Sequence, residues 1–130
     1  MHVALLGNLC NTAYAFGKAL RKEGLNAEIF ITEKERKQVA AYPEWEDPEI
    51  DSTKADWIHY YDQNNIPSLI RTIIRLRQFD VIHAFGLPNI YCQFLRKPLI
   101  SHALGADLKE VVYESNVLGQ LLKRAFKQNK

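Results

Sequence analysis

Residues 3–31, VALLGNLCNTAYAFGKALRKEGLNAEIFI, decide the fold that this sequence predicts. The stretch opens with four apolar residues, Val3–Leu6, which are typical of a strand buried on both faces of a parallel sheet. Apolar residues at helical spacing then predict a helix over about Thr12–Glu23, which ends before Gly24. A second apolar strand follows at Ala27–Ile31. Strand, helix and strand in about 30 residues predict a right-handed βαβ unit.

The rest of the chain continues this alternation. Residues 32–56 contain Pro43 and Pro48 and fit neither a regular helix nor a regular strand. Further strands are predicted at Trp57–Tyr61, Val81–Ala84 and Pro98–His102, and further helices at about 67–78, 89–95 and 115–128. Within the helix at 67–78 and just before it, the predicted apolar stripe is Ile66, Leu69, Ile70, Ile73 and Leu76. The pattern predicts an α/β fold: a Rossmann-like doubly wound parallel sheet in three α/β/α layers, with the strand order 3-2-1-4-5.

Composition is that of one globular domain over residues 1–130. Hydrophobic residues make up 47% and charged residues 25% of the chain, and the net charge is +2. This balance excludes a disordered chain and gives no argument for nucleic acid as a partner. Cys10 and Cys92 form no CxxC pair, and no apolar run approaches the roughly 20 residues of a membrane span. We therefore expect a cytoplasmic protein with free thiols.

Three loops are expected to meet where the strand order reverses, at the carboxyl ends of the strands: residues 7–12, 84–88 and 102–108. The first loop lacks the GxGxxG spacing of dinucleotide-binding folds, and the chain has no GxxxxGK[ST] motif, so no cofactor is predicted. Candidate substrate-binding residues are Gly7, Asn8, Asn11 and Gly86. Amides and exposed backbone N–H groups suit sugar hydroxyls or phosphate, but Asn8 and Asn11 are equally consistent with turn and cap residues.

One histidine and one carboxylate, His102 and Asp107, are the candidate catalytic groups. His102 ends a strand near the predicted crevice, and Asp107 follows in the same loop as either a helix cap or a ligand contact. Gly105, between His102 and Asp107, suits a turn with positive φ and is a further candidate for substrate binding. His83 lies inside an apolar strand and is consistent with a core residue. No metal site is predicted, because no third ligand accompanies His83 and His102.

The predicted last helix is basic and amphipathic. It carries Lys123, Arg124, Lys127 and Lys130 beside a leucine stripe. Two interpretations stay open: the helix contacts an anionic membrane surface, or its leucines pack on the sheet and its lysines are solvated.

Four segments together resemble the N-terminal, acceptor-side half of a B-type (GT-B) nucleotide-sugar glycosyltransferase of the large retaining family four. They are VALLGN with AYAFGKALRKEGLNAEIF (residues 3–8 and 13–30), FDVIHAFG (79–86), KPLISHALGADLKE (97–110) and LGQLLKRAF (118–126). The resemblance implies two facing Rossmann-like domains, with a nucleotide-sugar domain that this chain does not contain. It implies transfer of a sugar from a nucleotide-sugar donor to a hydroxyl acceptor, and a half that is inactive alone.

The resemblance also assigns roles to single residues. Gly7, Asn8 and Asn11 would line the cleft, and Gly105 and Asp107 match the family's His-Gly-Ser/Thr-Asp loop. Leu104 and Phe85 stand where family members usually carry histidine. These two departures leave an alternative open: a non-catalytic α/β interaction subunit that docks a separate catalytic chain or a membrane.

Overall fold

A computed structural model describes residues 1–38, 41–103, 117, 120, 121, 123 and 124 of the chain. Its centre is a sheet of five strands, β1 (His2–Leu6), β2 (Asn26–Thr32), β3 (Ile58–Tyr61), β4 (Val81–Phe85) and β5 (Leu99–His102). The strands lie in the order β3-β2-β1-β4-β5, and every neighbouring pair is parallel. The predicted Rossmann-like doubly wound α/β fold and its strand order are confirmed.

Helices connect the strands on both faces of the sheet. They are α1 (Thr12–Lys22), α2 (Glu33–Arg36), α3 (Pro43–Glu46), α4 (Ile66–Leu76) and α5 (Asn89–Cys92), with 3-10 turns at Leu9–Asn11 and Gln93–Leu95. The described part of the segment predicted to be irregular thus holds two α-helices of four residues each. Of the predicted last helix, residues 117, 120, 121, 123 and 124 are described and helical. Leu104, Gly105 and Asp107 lie outside the described residues.

Two apolar clusters fill the space between the layers. On one face, Ala13 and Tyr14 of α1 pack with Leu5 and Ile29 of the sheet. On the other face, the ends of α4 and α5 pack against alternate residues of the same strands: Ala4, Leu6, Phe30, Leu76, Ile82 and Cys92 belong to this second cluster. Because β1, β2 and β4 are covered on both faces, they are continuous apolar runs.

The predicted apolar stripe of α4 is divided between the core and the solvent. Leu69, Ile73 and Leu76 pack on the sheet, whereas Ile66 and Ile70 are 70% and 50% exposed. Residues four positions apart form one ridge on a helix, and the ridge that contains Ile66 and Ile70 lies beside the ridge that contacts the sheet.

Glu28 on β2 ties four elements together. Its Oε1 accepts a hydrogen bond from His2 Nε2 at 2.9 Å, and its Oε2 accepts from His59 Nε2 and Arg75 Nη2, each at 2.8 Å. Burial acts to raise the pKa of the Glu28 carboxyl, but the hydrogen bonds from His2 and His59 and the charge of Arg75 outweigh it and hold the pKa below its ordinary range. The bonds fix α4 against β1, β2 and β3.

Candidate functional crevice

The loop after β1 meets the end of β4 at the point where the strand order reverses. Gly7 has φ +85°, and its N–H donates to Phe30 O at 3.0 Å. A Cβ atom on Gly7 would lie 2.7 Å from the backbone oxygen of Phe85, closer than carbon and oxygen can approach. Cys10 and Asn11 also have positive φ, so the loop turns back tightly into α1. The two loops touch, and only glycine fits between them.

Asn8 lies beneath this loop with its side chain fully buried. Its Nδ2 donates to Asn11 Oδ1 at 2.8 Å and to Ala41 O at 2.7 Å. Its Oδ1 accepts from Tyr14 N at 2.8 Å, which caps the first turn of α1. Asn11 occupies the N-cap position itself but makes no capping bond, and its Nδ2 donates to Glu46 Oε2 at 3.4 Å. Both predicted cleft amides are engaged with the protein.

Glu35 joins the β1 loop to the end of β2. Its Oε1 accepts from Asn8 N at 2.8 Å, and its Oε2 accepts from the backbone N–H and the hydroxyl of Thr32, each at 2.9 Å. The Thr32 hydroxyl in turn accepts from Glu35 N, which completes a capping box at the start of α2. One carboxylate therefore sets the relative position of two walls of the crevice.

A cavity of about 250 Å³ opens between these loops. Its walls come from the segments after β1, β2, β3 and β4, and they include Leu9, Thr32, Lys34, Glu35, Gln38, Gln63, Phe85, Leu87 and Pro88. The cavity lies at the carboxyl edge of the sheet, where doubly wound folds bind ligands. Larger hollows elsewhere on the surface, of about 430 and 480 Å³, do not contact this edge at the β1 and β4 loops.

Three polar side chains of the cavity wall have no polar partner among the described residues. Lys34, Gln38 and Gln63 make no side-chain hydrogen bond or ion pair within the described part of the chain. Together they offer one cation, two carbonyl oxygens and two amide NH₂ groups, with four N–H donors, to a ligand. None of the three was predicted: Lys34 and Gln38 lie in the segment expected to be irregular, and Gln63 lies in the loop after β3.

His102 lies beside the crevice, on the α1 side of the sheet. Its ring centroid is 5.0 Å from that of Phe85 and 5.6 Å from that of His83. Phe85 is 2% exposed and separates the half-buried His102 ring from the cavity, whose lining does not include His102. The structure thus brings His102 next to the crevice wall, and its assignment as a catalytic residue stays a prediction.

His83 is buried beneath the same aromatic cluster. Its Nε2 has no hydrogen-bond partner among the described residues. Burial, and to a smaller extent the positive charge of His102, lower the pKa of His83 to about 4. His83 is therefore a neutral imidazole at physiological pH.

Gly86 shapes the turn after β4 through its backbone. It has φ +67°, and its N–H donates to His102 O at 2.9 Å. The fully buried Asn89 donates from Nδ2 to Gly86 O at 2.8 Å and to Ala84 O at 3.1 Å. The predicted substrate-binding residues Gly7, Asn8, Asn11 and Gly86 thus come together at one edge of the sheet, each held by protein contacts. Gly105 and Asp107 lie outside the described residues.

The fold and the crevice define a doubly wound α/β protein with a small cavity, lined by both polar and apolar side chains, at its topological switch point. No family model, curated protein or solved structure matches the chain. Among the described residues, no three His, Cys, Asp or Glu side chains are grouped to hold a metal ion. None of the helices in the described part of the chain has both the length and the apolar character needed to cross a bilayer.

Proposed function

We propose that the crevice binds a hydroxyl-bearing or phosphorylated ligand, and that the domain is the acceptor-side half of a retaining nucleotide-sugar glycosyltransferase. The observation that carries the proposal is the cavity at the switch point. In its wall, Lys34, Gln38 and Gln63 have no polar partner among the described residues and lie beside apolar Leu87. At about 250 Å³ it is smaller than the roughly 300–1,000 Å³ of sites for drug-sized ligands, which favours a ligand no larger than a single sugar ring.

The chemistry divides between this domain and a donor domain outside the chain. In sugar transfer, the bond from the anomeric carbon to the diphosphate oxygen breaks, and the acceptor oxygen bonds to that carbon. The acceptor proton passes to the leaving phosphate or to a base. Gln38 and Gln63 are suited to orient acceptor hydroxyls, and the Lys34 ammonium is suited to neutralise the departing diphosphate. His102 and Asp107 remain the candidate bases.

Ligand binding by the crevice can be measured on the chain as it stands. We expect free glucose, free mannose or glucose 1-phosphate, titrated into ¹⁵N-labelled protein, to shift the backbone amides of residues 7–9, 34–38, 63 and 86–87. A Gln63→Ala substitution should weaken that binding about tenfold, because it removes a hydrogen-bonding amide from the cavity wall.

A matched control is Gln78→Ala, which removes an exposed amide from the surface beyond α4. It should leave the titration unchanged. The proposal fails if none of these ligands shifts the crevice amides, or if Gln63→Ala and Gln78→Ala bind the ligand equally well.

A second candidate function is a non-catalytic interaction subunit. The observation that favours it is an uncovered area on the α1 side of the edge strand β5, where Phe16 is 44% and Ile100 is 53% exposed beside the His83 and His102 rings. Helices normally cover both faces of a parallel sheet. Under this alternative the sugar titration gives no crevice shifts, and Ile100→Asn leaves the stability of the isolated domain unchanged because the side chain already faces solvent.

A further inference from the structure

A ridge of isoleucines on α4 faces the solvent instead of the sheet. Ile66, Ile70 and Ile74 are 70%, 50% and 58% exposed. They recur every four residues and form one row about 12 Å long. Single exposed apolar residues are ordinary, but a contiguous exposed row of large apolar side chains marks a contact surface.

Arginines lie beside this ridge. Arg71 and Arg75 form the adjacent row, and Arg77 follows the last turn. Arg75 is held by Glu28, whereas Arg71 and Arg77 make no side-chain hydrogen bond or ion pair within the described part of the chain. Residues 63–79 contain no aspartate or glutamate. The surface of α4 is therefore apolar and cationic, with two arginine side chains that have no ion-pair partner among the described residues.

The charge of the chain is unevenly distributed: the first part of the sequence is acidic, and the second part, which contains α4, is basic. Residues 63–130 carry ten of the 17 lysines and arginines but only four of the 15 acidic residues, whereas residues 1–62 carry seven basic and eleven acidic residues. The first part thus has a net charge of −4 and the second a net charge of +6, which sum to the +2 of the chain. The isoleucine ridge belongs to the cationic part, so its partner is expected to be anionic.

We propose that the α4 surface binds anionic membranes, with Ile66, Ile70 and Ile74 at headgroup depth and Arg71 and Arg77 on lipid phosphates. A second copy of the chain fits less well, because it would bring arginines against arginines. Nucleic acid would leave the isoleucines without an apolar partner. A bilayer accepts a convex apolar ridge without a complementary groove, and long cationic side chains reach its phosphates. The inference does not depend on the sugar-transfer proposal, and it concerns a different surface from the predicted last helix.

Vesicle binding tests the proposal. We expect the 130-residue chain to sediment with phosphatidylcholine vesicles that contain phosphatidylglycerol, not with phosphatidylcholine alone, and to be released by high salt. Ile70→Gln combined with Ile74→Gln should lower the partition coefficient about tenfold by removing apolar burial. Arg71→Gln and Arg77→Gln should each lower it about fivefold.

Matched controls come from the acidic part of the chain. Trp45 is a 70% exposed apolar side chain, and Lys22 and Lys37 are exposed cations. Trp45→Gln, and Lys22→Gln with Lys37→Gln, should leave vesicle binding within about twofold of the original chain. Circular dichroism should show that every variant keeps its fold, because each changed residue is exposed.

Three results would overturn the proposal. The first is no binding to phosphatidylglycerol vesicles at low salt. The second is equal loss of binding in the α4 variants and the control variants. The third is a dimer, detected by light scattering, that dissociates when Ile70 and Ile74 are substituted, in a chain that does not bind vesicles. That result would assign the ridge to contact with a second copy of the chain.

Discussion

The Asn8 side chain lies in the loop after β1, at the switch point of the sheet, and its hydrogen bonds stabilise the fold. Its amide makes three hydrogen bonds at zero exposure, and each reaches a different segment: Asn11, Ala41 and the first turn of α1 at Tyr14. A ligand that bonded the Asn8 amide would have to break one of these bonds, which leaves a buried group unpaired at a cost of about 1–3 kcal/mol. Ligand contacts are available at lower cost from Lys34, Gln38 and Gln63.

Gly7 gives the most direct test of how closely the two crevice loops approach. Gly7→Ala should lower the free energy of unfolding by about 3 kcal/mol or more, because the new methyl group meets Phe85 O at 2.7 Å and the residue keeps a positive φ. Urea unfolding followed by circular dichroism measures the change.

The substitution Gly24→Ala separates the cost of the steric contact from the cost of the positive φ. Gly24 has φ +81°, and no atom lies within 4 Å of the position that a methyl group on it would take. This substitution should therefore cost only the backbone strain of about 1–2 kcal/mol. If both substitutions cost the same, the methyl group added at Gly7 meets no obstacle and the two loops do not touch.

Sequence alone places Asn8 and Asn11 in the loop but cannot tell what they bond. The loop is recognisable because an apolar strand ends at Gly7 and a helix begins a few residues later. The carbonyl that holds Asn8 belongs to Ala41, 33 residues further along the chain. Nothing local to the loop indicates that contact, so turn and ligand roles were equally consistent with the sequence.

At the scale of elements, α2 begins at a capping box that is recognisable in the sequence. Thr32 and Glu35 have the spacing of a capping box, and the structure contains both reciprocal bonds. The prolines that follow at 43 and 48 favour an irregular segment. A helix of four residues is only about one turn long, so it shows no apolar periodicity in the sequence. The local signal was present but was outweighed by the composition of the segment around it.

Glu35→Ala should lower the free energy of unfolding by about 2 kcal/mol, because it removes the acceptor of three hydrogen bonds from Asn8 and Thr32. Glu33→Ala is the matched control in the same first turn. Glu33 pairs with exposed Arg36, at 3.4 Å, and its removal should cost less than about 0.5 kcal/mol. Chemical denaturation of both variants measures the difference, and equal losses would show that Glu35 does not connect the walls of the crevice.

The helix α4 shows a limit of periodicity. Leu69, Ile73 and Leu76 follow one another at intervals of four and three residues, and Ile66 and Ile70 are four residues apart. Because all these intervals are helical, one apolar stripe fits all five positions. Which ridge faces the sheet depends on the rotation of the helix about its axis, and Glu28 helps to set that rotation through Arg75. This long-range bond is not visible in the helix's own sequence.

At the scale of the whole molecule, the strand order was predictable because apolar runs alternate with helical segments and the crossovers share one hand. The position of the crevice follows from that order alone. Its unengaged polar groups do not, because Lys34, Gln38 and Gln63 reach the cavity only once the segment between β2 and α4 has folded.

The stability of the molecule should fall on acidification between pH 6.5 and 4. His83 has a folded pKa of about 4 against an ordinary value near 6.5, so in this interval the unfolded chain binds a proton that the folded chain does not. Unfolding is then favoured by up to about 1.4 kcal/mol for each pH unit of acidification. His59, whose pKa is also lowered by burial, adds to the trend.

His83→Gln should flatten the pH profile, because glutamine does not titrate. The measurement is the free energy of unfolding in urea at intervals between pH 4 and 7, compared by slope so that a constant loss of stability does not matter. An unchanged slope would mean that His83 binds protons equally in the folded and the unfolded chain, so that burial does not lower its pKa.

The central position of β1 has a consequence for the making of this chain. β1 pairs with β2 on one side and with β4 on the other, yet β4 begins at Val81. At about 5–20 residues per second, a ribosome needs roughly 4 to 15 s to add the residues between the two strands. Throughout that interval the first-made apolar strand has one open edge, which is a template for pairing with other chains. Nascent chains that stop before Phe85 should therefore aggregate or require a chaperone.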